Sequence, residues 1–141
     1  MQTRSFILLS ILTTTLHAEN WPMWRGAKGS GVTTEKNLSL KWSATENIAW
    51  KIDLPQRGNS TPIVWGNHIF LTQPIEKKNR RTLMCLDRHD GRVLWQRGIK
   101  YETREETHRS NPYCSESPAT DGKHVVAVFG SAGVYCYDFA G

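Results

Sequence analysis

The chain has 141 residues, of which 38% are hydrophobic and six are tryptophan, so its composition excludes a disordered protein and allows one domain of ordinary size. Its formal net charge of +5 is spread along the chain, apart from one basic cluster at residues 77–81. No segment carries the aromatic and basic stripe that nucleic-acid binding requires, so we expect no nucleic-acid partner.

The first 18 residues have the pattern of a signal peptide. Arg4 supplies the positive charge, residues 6–16 are apolar apart from Ser and Thr, and Ala18 suits cleavage. The apolar run is too short to span a bilayer comfortably. The sequence therefore predicts export to the periplasm, cell envelope or exterior, with no stable membrane span after cleavage. An uncleaved anchor or a first core strand is the alternative.

After a lead-in segment at residues 19–46, short β-branched and aromatic runs alternate with turn signals, and helix signals are nearly absent. Gly66-Asn67 separates two such runs and is typical of a β-hairpin turn. Residues 74–80 form a second, longer and polar hairpin loop. The predicted strands are residues 48–53, 61–65, 68–73, 81–87 and 92–96.

The pattern then repeats along the chain. The second copy has a shorter hairpin at residues 130–133, and Trp50 and Trp95 correspond to each other near strand ends. The other paired positions are Pro62 with Pro118 and His68 with His124, both 56 residues apart, and Cys85 with Cys136, 51 residues apart.

Each copy is interpreted as a four-stranded blade that hides its flat faces by stacking on the next, which predicts an all-β, incomplete β-propeller. The structural repeat positions are Trp50, Trp95, Asp87, Gly91 and Asp138, with the tryptophans filling space between blades. About two blades are present where closure needs roughly four to eight. We therefore expect missing blades, and self-association through open edges. A β-sandwich is the alternative.

Residues 86–95, Leu-Asp-Arg-His-Asp-Gly-Arg-Val-Leu-Trp, closely resemble the core of the PQQ-like β-propeller repeat. Residues 117–122 look like the entry to the next repeat. The opening, residues 20–26 and 29–32, is similar to exported PQQ-like repeat proteins common in Planctomycetes, as are residues 46–51. The resemblance covers most of residues 20–141 and places partial repeats at residues 47–141.

This resemblance raises the hypothesis of a quinoprotein dehydrogenase, which holds PQQ and Ca²⁺ at the propeller centre with residues from many blades. The alcohol-oxidising members also carry a disulfide between adjacent cysteines, and no Cys-Cys pair occurs here. Two blades cannot enclose a central cofactor, so we expect no PQQ in this chain and no catalytic residue.

Other chemistry has weak signals. Asp87 and Asp90 flank a turn, but a Ca²⁺ loop needs more oxygen ligands, so we expect them to bond their own backbone. Cys85 and His89 make one loose pair where structural zinc usually has two, so no metal ligands are predicted. Ser131 lies in Gly-Ser-Ala-Gly, which lacks the nucleophile-elbow pattern and predicts a tight hairpin turn.

The three cysteines allow at most one intramolecular disulfide. Cys85 and Cys136 lie in apolar strand-like runs, and we interpret both as buried free thiols. A disulfide from Cys114 to either stays open, because sequence does not give the distances between their Cα atoms.

Residues 99–113 are the longest irregular segment and carry charges of both signs. Long loops often form a binding surface, so recognition is expected here, with a solvated connector as the alternative. Arg57, Asn59 and Tyr113 would lie near strand entries and are the predicted ligand-facing residues.

The leading hypothesis is an exported, non-enzymatic binding or scaffolding module with a protein or carbohydrate partner. The alternatives are the N-terminal part of a PQQ-dependent dehydrogenase completed by missing blades, and a truncated product without activity of its own.

Overall fold

The computed structural model describes residues 18–141, and the regular structure of this part is two antiparallel β-sheets with two single-turn 3-10 helices. Nearly all of the predicted signal peptide falls on residues 1–17, outside the described residues. No helix in residues 18–141 is long and apolar enough to cross a membrane.

The first sheet is a four-stranded meander in chain order. Gly66, in the left-handed conformation (φ 55°), turns the first hairpin, and a 3-10 helix at Glu76–Lys78 turns the second. Its strands are β1 (Ile63–Trp65), β2 (His68–Ile75), β3 (Arg80–Asp87) and β4 (Val93–Lys100).

The second sheet repeats the first three strands in the same order, as β5 (Ala119–Thr120), β6 (His124–Val128) and β7 (Val134–Asp138). A 3-10 turn at Gly130–Ala132 joins β6 to β7, which confirms the short hairpin predicted around Ser131. The two sheets do not close into a ring. This all-β architecture of successive meanders is the incomplete propeller that the repeat predicted.

The first sheet differs from the sequence prediction in three features, one of which is that β4 continues past residue 96 to Lys100, inside the segment predicted to be irregular. Residues 48–53 form no strand and make no ladder pairing with either sheet. Strand β2 runs through Pro74 to Ile75, inside the predicted loop. Proline is tolerated there because β1 pairs only with residues 68–70, which leaves that edge of β2 without a ladder partner.

The main core lies between the two sheets. Alternation along the strands sends Phe70, Leu83 and Cys85 of the first sheet toward the second sheet, while Leu71 and Met84 face the opposite side against Ile52. Buried residues of the main core are Ile63, Phe70, Leu83, Cys85, Trp95, Cys114, Val125, Ala127 and Phe129. Each sheet thus hides its face on its neighbour, as stacked blades do.

The two tryptophans that the repeat paired occupy equivalent environments. Trp50 donates its indole N–H to the carbonyl of Arg88 at 2.8 Å, one residue after Asp87. Trp95 donates to the carbonyl of Phe139 at 2.8 Å, one residue after Asp138. Each indole therefore contacts the turn that follows the third strand of a sheet, which is β3 for Trp50 and β7 for Trp95. Only Trp95 itself lies in a strand.

The lead-in segment ties the two sheets together. Trp21 and Val64 exchange both backbone hydrogen bonds, at 2.8 and 2.9 Å, and Pro22 accepts one from Thr120 at 2.9 Å. The segment thereby contacts β1 and β5, which also contact each other.

The antiparallel order places the connections at two opposite ends of the sheets. One end carries the two tryptophan-docking turns. The other, called the loop end here, carries the β2–β3 and β6–β7 hairpins together with residues 101–118, which lead from β4 to β5. The predicted recognition loop, together with the Arg57 and Asn59 segment that precedes β1, therefore lies at the loop end.

Candidate binding site at the loop end

The connection at residues 101–118, called the crossing loop here, is held at its tip by two predicted site residues. Arg57 donates from Nη2 to the carbonyl of Arg109 at 2.9 Å, and Asn59 donates from Nδ2 to the carbonyl of Ser110 at 2.6 Å. Both side chains bond loop backbone, so they fix the loop's position. Contact with a ligand stays a prediction for them.

The end of the crossing loop nearest β5 is fixed by buried and part-buried hydrogen bonds to β2 and to the segment that precedes β1. The Thr72 hydroxyl lies 3.0 Å from the carbonyl oxygen of Cys114 and 2.7 Å from that of Glu116. The Ser117 hydroxyl accepts the backbone N–H of Thr61 at 2.9 Å. Cys114 adopts a left-handed conformation (φ 57°) to make this approach. The loop is therefore anchored at both its tip and its end.

Tyr113 and Glu105 connect the crossing loop to itself and to the second sheet. The Tyr113 hydroxyl donates to the carbonyl of Glu105 at 2.7 Å and accepts the Glu105 backbone N–H at 3.1 Å. The Glu105 carboxylate accepts the backbone N–H of Ser131 at 3.2 Å. Tyr113, the third predicted site residue, thus folds the loop back over the sheet ends.

Beneath Tyr113 lies a buried arginine. The Arg81 guanidinium carbon is 3.5 Å from the centre of the Tyr113 ring, and the residue is only 3% exposed. Its Nε has no hydrogen-bond partner, and no carboxylate in residues 18–141 lies within salt-bridge distance. Because arginine keeps its charge in proteins, the aromatic face is the stabilising contact that the fold supplies.

Two cavities open between the crossing loop and the sheet ends, and Arg81 borders both. The larger has a volume of about 970 Å³ and the smaller about 230 Å³. The larger is lined mainly by polar groups, among them Arg104 and the phenols of Tyr101 and Tyr113. Four glutamates also line it, namely Glu76, Glu102, Glu105 and Glu106.

One of these glutamates is held in its ionised form by its neighbours. Lys100 contacts one carboxylate oxygen of Glu102, and Asn79 donates to the other at 2.8 Å. Hydrogen bonding to Lys100, then to Asn79, lowers the pKa of Glu102 below its ordinary value. The cavity therefore presents a buried positive charge with a negative rim.

The cysteines are free thiols in three different settings. Burial raises the pKa of Cys85 to about 12 and that of Cys114 to about 11, so neither is a thiolate at neutral pH. The interpretation of Cys136 as buried is wrong, because it lies on the edge strand β7 and its side chain is exposed.

At the opposite end, the aspartates do what the turn pattern predicted. Asp87 accepts the backbone N–H of His89 at 2.8 Å, and Asp90 accepts that of Arg92 at 2.9 Å. Asp138 accepts the N–H of Gly141 in the same way, at 2.9 Å. Within residues 18–141, no three metal-ligating side chains come together.

Arg81 is a site residue that the sequence did not predict, since its charge placed it only in the basic cluster of residues 77–81. The signal was present, because Arg81 alternates with Leu83 and Cys85 on the buried face of β3. A charged residue in such a position is rarely buried unless paired. Glu105 and Thr72 carried no comparable local signal, since their partners lie far along the chain.

Comparison with protein-family models gives a match over most of the chain. A PQQ-like repeat family model, described as outer membrane protein assembly factor BamB, matches residues 27–141. The match spans both sheets, the Trp50 segment and the crossing loop. No curated protein and no solved structure matches the chain.

Proposed function

This chain belongs to the PQQ-like repeat family described as outer membrane protein assembly factor BamB, and we propose that it is a binding module of an exported β-propeller, with its recognition surface at the loop end. The proposed activity is binding without catalysis, and the partner is a protein or a carbohydrate.

The observation that carries the proposal is the anchored crossing loop. Arg57 and Asn59 hold its tip, Thr72 holds its end, and a cavity of about 970 Å³ opens beneath it. A connector that only bridges two blades needs no fixed path. Fixed loops on a rigid scaffold are where binding sites concentrate, and this volume falls in the range of small-ligand sites.

Export is part of the proposal. It is supported by the signal-peptide pattern of residues 1–18 and by the envelope function named in the family description. The same two observations support a scaffolding role in the cell envelope, since a binding surface on a stack of sheets can hold two partners together.

The test is binding of the purified chain to arrays of glycans and of envelope-protein peptides. A variant with Arg57→Ala and Asn59→Ala should lose at least tenfold in affinity for the wild-type ligands, because the loop tip is no longer fixed. Arg92→Ala, an exposed change at the opposite end, should bind like the wild type. Equal binding by all three proteins, or no binding to any array member, would refute the proposal.

A quinoprotein dehydrogenase is the competing function, and a ligand-dependent stability measurement separates it. A chain that binds PQQ with Ca²⁺ in its native state must unfold at a higher temperature when both are added. We expect no shift of the unfolding temperature. A saturable increase in the unfolding temperature would favour the redox enzyme over the binding module.

A further inference from the structure

We propose that Arg81 is the anchor for the carboxylate of an acidic sugar bound in the larger cavity at the loop end. The inference rests on the proposed binding function and assigns its ligand class.

Arg81 carries a positive charge that lacks a counter-ion in the described chain. It is buried between β3 and the crossing loop, its Nε lacks a hydrogen-bond partner, and no carboxylate in the described chain lies within salt-bridge distance. A buried charge without a counter-ion is costly, and a bound anion would compensate it. The Tyr113 ring covers one guanidinium face, and Arg81 lines the larger cavity, where a bound anion would pair with the terminal N–H groups.

The cavity lining restricts the kind of anion that Arg81 could bind. Four glutamates and one further arginine, Arg104, line the same cavity. A phosphate monoester, which carries more than one negative charge at neutral pH, would be repelled by this rim more strongly than a group with a single charge. A single carboxylate carries one negative charge, and its planar shape matches a guanidinium.

The cavity lining also indicates which class of molecule carries the carboxylate. The lining offers acceptors on Glu105 and Glu106, hydroxyls on Thr103 and Thr107, and the phenol of Tyr101. Ionised carboxylates are acceptors only, so they pair with the many hydroxyl donors of a sugar. The lining has no aliphatic side chain of the kind that peptide side chains need. These groups favour a uronic acid over an acidic peptide.

The test compares D-galacturonate with D-galactose, which differ at the carboxylate, by titration calorimetry on the purified chain. The wild type should bind galacturonate at least tenfold more tightly, in line with the strength of a charge-assisted hydrogen bond. Arg81→Gln should abolish that preference. Arg80→Gln removes the same charge from the neighbouring residue, which borders neither cavity, and should keep it.

Arg81→Lys guards against a folding defect in Arg81→Gln, and Tyr101→Ala tests whether the sugars bind in this cavity. Arg81→Lys keeps the charge and should retain a preference for galacturonate, though a smaller one. Tyr101→Ala removes a half-buried lining residue and should weaken both sugars without changing their ratio.

Equal affinity of the wild type for the two sugars overturns the inference, as does an unchanged preference in Arg81→Gln. Binding of an acidic peptide but not of galacturonate also overturns it, while leaving the loop end as a binding surface. The proposed function itself fails only if the chain binds nothing on the wider arrays or binds independently of the crossing loop.

Discussion

A glycine in the left-handed conformation lies under each docked tryptophan. Gly91 has φ 74°, and a Cβ there would lie 2.5 Å from Cε3 of Trp50. Gly141 has φ 90°, and a Cβ there would lie 2.9 Å from Cδ2 of Trp95. Two independent factors therefore require glycine at each turn. One is the positive φ of the backbone, and the other is the space taken by the indole.

We expect Gly91→Ala to lower the free energy of unfolding by about 2–4 kcal/mol, combining a strained φ with overpacking. Gly66→Ala is the matched control, because Gly66 has φ 55° and a methyl group added there would meet no atom within 4 Å in the described chain. It should cost only about 1–2 kcal/mol for the backbone. Urea denaturation measures both, and equal losses would show that the indole contact contributes nothing.

Asp121 shows how a turn can make stability depend on pH. Its carboxylate accepts the backbone N–H groups of His124 and Lys123, at 2.7 and 2.8 Å. These bonds, that of His124 first, lower the pKa of Asp121 from 3.8 to about 2. The folded chain thus binds this proton less readily than the unfolded chain does.

The contribution of Asp121 to stability should therefore be complete above about pH 4 and disappear as the pH falls toward 2. Asp121→Asn cannot titrate, so its difference from the wild type in unfolding free energy should shrink over that interval. Denaturation at a series of pH values measures the difference. A difference that stays constant from pH 5 to pH 2 would contradict the assignment.

At the scale of elements, the crossing loop depends on contacts between residues distant in sequence. Thr72 on β2 reaches the carbonyls of Cys114 and Glu116, which are 42 and 44 residues away. These carbonyls would lose their protein donor if the hydroxyl were removed. The loop end is therefore most sensitive at a residue inside the first sheet.

Thr72→Val keeps the side-chain shape, removes the hydroxyl and should destabilise the chain by about 1–3 kcal/mol. Because the loop loses its anchor, limited proteolysis should also cut within residues 101–118 faster than in the wild type. Thr45→Val, at an exposed position whose hydroxyl makes no hydrogen bond within residues 18–141, should change neither measurement. Unchanged proteolysis in Thr72→Val would mean that other contacts fix the loop.

The local elements could be predicted from sequence because their signals are local. Residues 68–73 alternate, residues 83–86 are a short apolar run, Gly66 and Gly91 bound them, and both segments form strands. Residues 48–53 were predicted as a strand from a similar apolar and aromatic run, but they form no strand, and their Trp50 instead donates to the carbonyl of Arg88. The burial of Arg81 could be predicted from its alternation with Leu83 and Cys85, but its contact with Tyr113 could not, because that contact depends on the path of the crossing loop over the sheet.

At the scale of the whole molecule, the two sheets share one core but differ in how their edges are covered. Strand β7 pairs with β6 alone, and its other edge has no partner in the described chain. Exposed apolar side chains, Val134 on β7 and Val126 on β6, lie beside this edge. Unpaired strand edges next to apolar surface favour pairing between copies.

The purified chain should therefore form oligomers whose size grows with concentration, as light scattering after size-exclusion chromatography would show. Val134→Lys places a charge on the edge strand, where Val134 is 67% exposed, and should shift the population toward monomer. Val32→Lys changes a residue that is 73% exposed in the lead-in segment and should leave the oligomers unchanged. A wild-type chain that stays monomeric at all concentrations would show that the β7 edge does not drive self-association, since the same edge is free in every copy.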